Sequence, residues 1–134
     1  MAKSNRDRVS TVMDALKEGL GPFILQQYQI RHGARDFLTI VSNTLSTDRY
    51  DAPRYRDVKE AIGDIDTHGW LNLMWRNWNE VFRDKLGHSE RSYVSEMLEA
   101  RNDWAHQKAF TVDDAQRVAD TATRLLEAVN APKQ

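Results

Sequence analysis

Residues 78–106 read WNEVFRDKLGHSERSYVSEMLEARNDWAH, and the fold of the chain turns on how this stretch is read. Apolar side chains stand at Trp78, Val81 and Phe82, then again at Tyr93, Val94, Met97, Leu98, Trp104 and Ala105. Intervals of three and four residues stack side chains on one face of an α-helix, whereas a strand would alternate them. The two runs are separated by Lys85-Leu86-Gly87, so Gly87 is expected to close one helix and Ser89 to cap the next. Upstream, Leu71, Met74 and Trp75 extend the first stripe, which predicts a long core helix from Gly69 to Gly87. Its Met74, Trp75, Trp78 and Phe82 face could stack nucleobases, but an aromatic stripe at helical spacing is far more often core.

Outward from this stretch the pattern stays helical. Asn5 is placed to cap a first helix carrying Val9, Val12, Met13, Leu16 and Leu20, which Gly-Leu-Gly-Pro at 19–22 is expected to stop. Pro22 suits a first helical position, so a second helix is predicted from there to Gly33. ARDFLTIVSNTLS (34–46) is compatible with helix or extended chain. The next segment mixes Arg49, Arg54, Arg56 and Lys59 with Asp48, Asp51 and Asp57, reads as a solvated loop around Pro53, and ends in a short helical pattern. A last helix is predicted from Thr111, with Asp114 completing an acidic version of the capping box and Ala115, Val118, Ala122, Leu125, Leu126 and Val129 on its apolar face. Pro132 lies beyond its end. The fold class is therefore all-α, a helical bundle of about five helices, with Trp78, Phe82, Leu98, Leu125 and Leu126 expected to be nearly inaccessible.

Composition limits the function classes. The 134 residues are 40% hydrophobic, enough for one sizeable core, so a single domain over 1–134 is expected. Nineteen basic and 20 acidic side chains leave a net charge of −1, and with it no overall electrostatic footprint of a nucleic-acid binder. Any such contact must be local. Cysteine is absent, which excludes disulfides and thiolate metal sites and fits a reducing compartment, with cytoplasm the default. No apolar run approaches the roughly 18 residues of a membrane span, and MAKSNRDRVS lacks the apolar core of a signal peptide, so no membrane partner is expected.

On a helix at about 100° per residue, Arg101 falls near the middle of the apolar stripe of the second run. A guanidinium always carries charge, so an anion should meet it there, either a carboxylate or a phosphate. Arg91, Ser95, Asn102 and His106 share one flank of that stripe, with Glu99 beside them. Two plainer readings stand alongside a functional one: a histidine near the negative end of a helix is favourable in itself, and an interior arginine often pairs with a core carboxylate. His32, His68 and His88 sit beside Gly or Ser at expected helix boundaries, lack the paired spacing of a zinc site, and read as loop histidines; no metal site is predicted.

RNDWAH (101–106) resembles the signature of the HEPN superfamily, in which an arginine and a polar residue are followed after a short gap by histidine. Its surroundings, WNEVFRDKLGHSERSYVSEMLEARNDWAH with Phe110, Asp113-Asp114 and RLLEAV at 124–129, resemble one branch of that superfamily. This branch occurs beside a PIN-type nuclease in a yeast mRNA surveillance factor and in large bacterial proteins with an ATPase or helicase region. The resemblance is good from about Trp70 to Val129; before it, LKEGLGPF at 16–23 is similar to the family's N-terminal helices.

The resemblance implies an HEPN-like domain, whether alone or as the N-terminal module of a larger protein. It also implies metal-independent RNA cleavage, without cofactor, at a site formed between two protomers, in RNA surveillance or anti-phage defence. His106 would move protons, Arg101 would stabilise charge on phosphorus, and Asn102 would orient His106 or hold the phosphate. Arg91 and Lys108 would contact RNA. Expected partners are RNA, a second copy of the chain, and an attached or associated ATPase. A non-catalytic RNA- or nucleotide-sensing and dimerisation module serving such an ATPase is the competing expectation.

Overall fold

The computed structural model describes residues 4–31, 33–46 and 55–129. Among these residues there are six α-helices and one short π-helix, and no strand: α1 (Asn5–Arg31), α2 (Ala34–Ser46), α3 (Val58–Asp64), α4 (Thr67–Arg76), the π-helix (Trp78–Phe82), α5 (His88–Ala105) and α6 (Val112–Ala128). The all-α expectation holds. α1 packs along α4 and α6, α5 lies against both α4 and α6, and α2 covers α4. His32, the charged stretch 47–54 and Pro132 lie outside the described residues.

α1 departs from expectation at both its start and its middle. The Ser4 hydroxyl, rather than Asn5, accepts the Asp7 N–H at 3.0 Å and so caps the helix. Gly-Leu-Gly-Pro does not stop it, and residues 5–31 form one 27-residue helix with Pro22 inside. Proline removes one backbone bond and glycine adds chain entropy, but tertiary packing offsets both. Leu16, Leu20, Phe23, Ile24 and Tyr28 are buried on a continuous face through the supposed break. Gly21 has a packing role, because a Cβ there would lie 3.1 Å from Cζ2 of the buried Trp70 indole. Gly33 does close the helix as expected, with φ +86° and its N–H on the Gln29 carbonyl at 3.1 Å.

The expected single helix from Gly69 to Gly87 is two elements. It starts earlier, at Thr67, because the Asp66 carboxylate accepts the Gly69 N–H at 2.8 Å. It ends at Arg76, and Arg83 then bonds the Trp78 carbonyl five residues back at 2.9 Å. That wider turn delays the helical phase by most of one residue, about 100°. Trp78, Val81 and Phe82 therefore stay buried while Trp75 turns outward and is 37% exposed. Phe82 packs with Phe23 and Tyr28 at ring separations of 6.1 and 5.8 Å, in the middle of the core. The Tyr28 hydroxyl donates to the Leu73 carbonyl, and burial pushes its pKa above the usual phenol range.

α5 is capped two residues earlier than expected: Gly87, not Ser89, is its N-cap residue. Val94, Met97 and Ala100 are its buried positions. Thr111 and Asp114 form the reciprocal capping box of α6, each bond 3.0 Å. Leu98 and Leu126 are only partly buried, unlike Trp78, Phe82 and Leu125, because they lie at the edges of their helical stripes. Arg56, expected in a solvated loop, is exposed and bonds Glu60 at 2.8 Å, while Lys59 lies on α3. Among the described residues no helix is long and apolar enough to cross a membrane.

Candidate functional site

The motif occupies the last turn of α5. Arg101 lies within the helix, and His106 is the exposed residue that ends it, its N–H on the Asn102 carbonyl at 3.0 Å. The chain then reverses through a Schellman turn: Lys108 N–H bonds the Asp103 carbonyl at 2.9 Å and Gln107 N–H bonds the Trp104 carbonyl at 3.2 Å. Gln107 takes the left-handed conformation, φ 60°, where glycine is usual. The backbone beside His106 is thus fixed and carries local strain.

α1 seats this turn from the other side. Arg6 donates to the Trp104 carbonyl at 2.8 Å and lies 5.6 Å from the centre of the Trp104 ring. Trp104 Nε1 donates to Ser10 Oγ at 2.8 Å, and the Asn5 amide donates to the Phe110 carbonyl at 3.0 Å. A cation on the last carbonyls of a helix is favourable, so Arg6 both satisfies and orients the end of α5.

Arg101 is half-buried and makes no hydrogen bond, ion pair or ring contact among the described residues. Among the described residues there is no core carboxylate paired with it, as an interior arginine could have had. The guanidinium has its five donors to offer an outside anion.

The flank expected to hold Arg91, Ser95, Asn102 and His106 together is divided by Trp75. On one side a hollow of about 830 Å³ is lined by Asn43, Thr44, His68, Asn72, Trp75, Arg76, Leu98 and Asn102. On the other, a hollow of about 600 Å³ holds Trp75, Arg91, Ser95 and Glu99 with His88 and Arg117. His106 lines neither. Arg91 lies over the Trp75 ring at 4.7 Å from its centre. Lys108 is elsewhere, in the groove between α5 and α6, 3.9 Å from the Asp103 carboxylate and among Glu96, Glu99 and Asp114.

His68 is not a loop histidine. It is the second residue of α4, and its Nε2 meets the Asn72 amide at 2.9 Å. His88 is the first residue of α5, likewise helical. The group His68, Asn72, Trp75 and Arg76 was missed in the sequence because the helix was started at Gly69. Begun at Thr67, those positions fall at intervals of four, seven and eight, a polar face with a tryptophan in it. No cluster of three or more His, Cys, Asp or Glu side chains suited to a metal ion occurs among the described residues.

A model of the Swt1-like HEPN family matches residues 11–130. The chain belongs to that family. Membership supports a function of the RNA-endonuclease type, and the matched span includes the end of α5. No curated protein and no solved structure matches the chain.

Proposed function

We propose that the chain is a metal-independent endoribonuclease that acts as a homodimer, cutting where two copies of the end of α5 meet. One observation carries this reading: a half-buried Arg101 with no internal anion among the described residues, one turn or so from an exposed His106, on a helix end held by Arg6 and the Schellman turn. RNA brings its own nucleophile, the 2′-hydroxyl next to each phosphodiester, so the protein needs only to move protons and balance charge. One His106 takes the 2′-hydroxyl proton as the oxygen bonds to phosphorus. The His106 of the second copy gives a proton to the departing 5′-oxygen as that P–O bond breaks, leaving a 2′,3′-cyclic phosphate and a 5′-hydroxyl. Arg101 meets the phosphate oxygens with its planar fork as negative charge builds on them. Asn102 positions the phosphate or His106.

The reading is tested by incubating the protein with labelled RNA in EDTA. Cleavage leaving cyclic-phosphate ends, abolished by His106→Ala and strongly reduced by Arg101→Ala, is expected. Intact RNA under all conditions tried, with RNA bound, would assign the chain to RNA sensing instead. A dimer joined through a face remote from α5 would overturn the shared-site arrangement.

A further inference from the structure

We infer that the hollow between α2, α4 and α5 is a base-recognition subsite, taking one unstacked nucleobase of single-stranded RNA flat against Trp75. RNA as the ligand rests on the nuclease reading above.

Trp75 is the first support. Ile30, Trp75 and Val112 are the exposed large hydrophobics among the described residues, and Trp75 lines both hollows flanking α5, while the neighbouring large apolar side chains of α4 are buried. An indole left at the mouth of a polar hollow is a platform for a flat, partly apolar ring, and every nucleobase presents such a face.

The second support is the way that platform is held. Arg91 lies over the ring from the neighbouring hollow, and its Nε is buried with no hydrogen-bond partner. Arg91 does not line the larger hollow, so the indole is braced from one side and offered to a ligand on the other. A braced aromatic loses little freedom when a base stacks on it.

The third is the chemistry of the lining. Asn43, Asn72 and Asn102 supply amides, which carry both donors and acceptors as base edges do, with the Thr44 hydroxyl and His68 imidazole beside them. Among the described residues no carboxylate lines the hollow, and Arg76 stands at its wall, so these lining groups do not repel a phosphodiester. Its volume of about 830 Å³ accepts a base with its sugar.

Asn102 connects the hollow to the motif. It lines the hollow and lies about one turn, roughly 5–6 Å between Cβ atoms, from His106 on the same helix. A base seated against Trp75 would therefore set which nucleotide lies beside the bond presented to Arg101 and His106.

The test uses the whole chain carrying His106→Ala, so that RNA survives, and fluorescence anisotropy with short single-stranded RNA homopolymers of each base. Adding Trp75→Ala should weaken binding roughly ten- to a hundredfold, as expected for losing one stacked base, while Trp75→Phe keeps most of it. Asn43→Ala should flatten the preference among the homopolymers. An abasic position in the RNA should weaken binding to the Trp75-containing protein but add nothing once Trp75 is gone. Unchanged affinity in Trp75→Ala, with circular dichroism showing an intact fold, overturns the subsite, as does a loss that tracks dissociation of the dimer. The two readings fail separately. Cleavage by the wild type with Trp75-independent binding sinks the subsite alone, whereas Trp75-dependent binding with no cleavage sinks the nuclease and leaves the subsite standing.

Discussion

Removing the Arg101 guanidinium separates chemistry from folding, and the structure sets the size of each effect. An arginine bound to a buried carboxylate would, on mutation to alanine, strand that carboxylate and cost about 3–5 kcal/mol. Arg101 has no such partner among the described residues, so Arg101→Ala removes only the packing of a half-buried aliphatic stem, about 0.5 kcal/mol or less. For a chain of this length 1 kcal/mol moves Tm by roughly 3–5 °C. The expected shift is then within roughly 2 °C, against roughly 10–25 °C for a broken core ion pair. Cleavage under single-turnover conditions should meanwhile fall by about a hundredfold or more, the usual effect of losing one donor to transition-state charge. The double variant with His106→Ala should be little worse than either single one, since residues that act as a unit lose activity non-additively. The assay pair is a thermal melt by circular dichroism and the rate of release of a labelled fragment. A fall in Tm of roughly 10 °C or more would show that Arg101 is structural, and undiminished cleavage would remove it from the chemistry.

Further outcomes follow from the local geometry. Gln107→Gly should raise Tm by a few degrees, because it relieves a left-handed residue that costs roughly 1 kcal/mol beside His106; a lower Tm would mean the glutamine side chain holds the turn. Trp78→Ala should cost about 3–5 kcal/mol in urea unfolding, since Trp78 is only 4% exposed and packs on Phe82. Hydrogen bonds from the Thr111 backbone and hydroxyl hold the Asp114 carboxyl below the ordinary carboxylate range. Its stabilisation of α6 is therefore complete above the unfolded-state value of about 3.9 and is lost as pH falls towards the lower folded one. Melts across that window should converge for the wild type and Asp114→Ala at the acid end and separate above it.

What could be read in advance was local. The Thr111–Asp114 box lies within four residues, and its two bonds appeared as expected. The Arg101 position on an apolar stripe was also legible, whereas the lack of an internal anion was not, since that depends on every helix packed around it. At 19–22 the local signals of Gly and Pro were misleading, although Val9, Met13, Leu16, Leu20, Ile24 and Tyr28 keep one helical phase straight through them. The decisive contact there, Gly21 against Trp70, joins residues far apart in sequence. Trp75 was assigned to the core because the stripe was extended through Asn77 as if the helix were uniform. The π-helical turn that rotates it into the hollows leaves no simple mark in residue spacing.

The ties from α1 to the end of α5 also bear on the order of events as the protein folds. Arg6 and Trp104 are 98 residues apart, and Asn5 and Phe110 are 105 apart. Closing so long a loop is an entropic barrier that local helix formation does not reduce. During synthesis α1 emerges before the other described helices and must wait for the end of α5 before it can grip Trp104. Until then the turn bearing His106 has no seat, so its geometry is set late, after the bundle has closed.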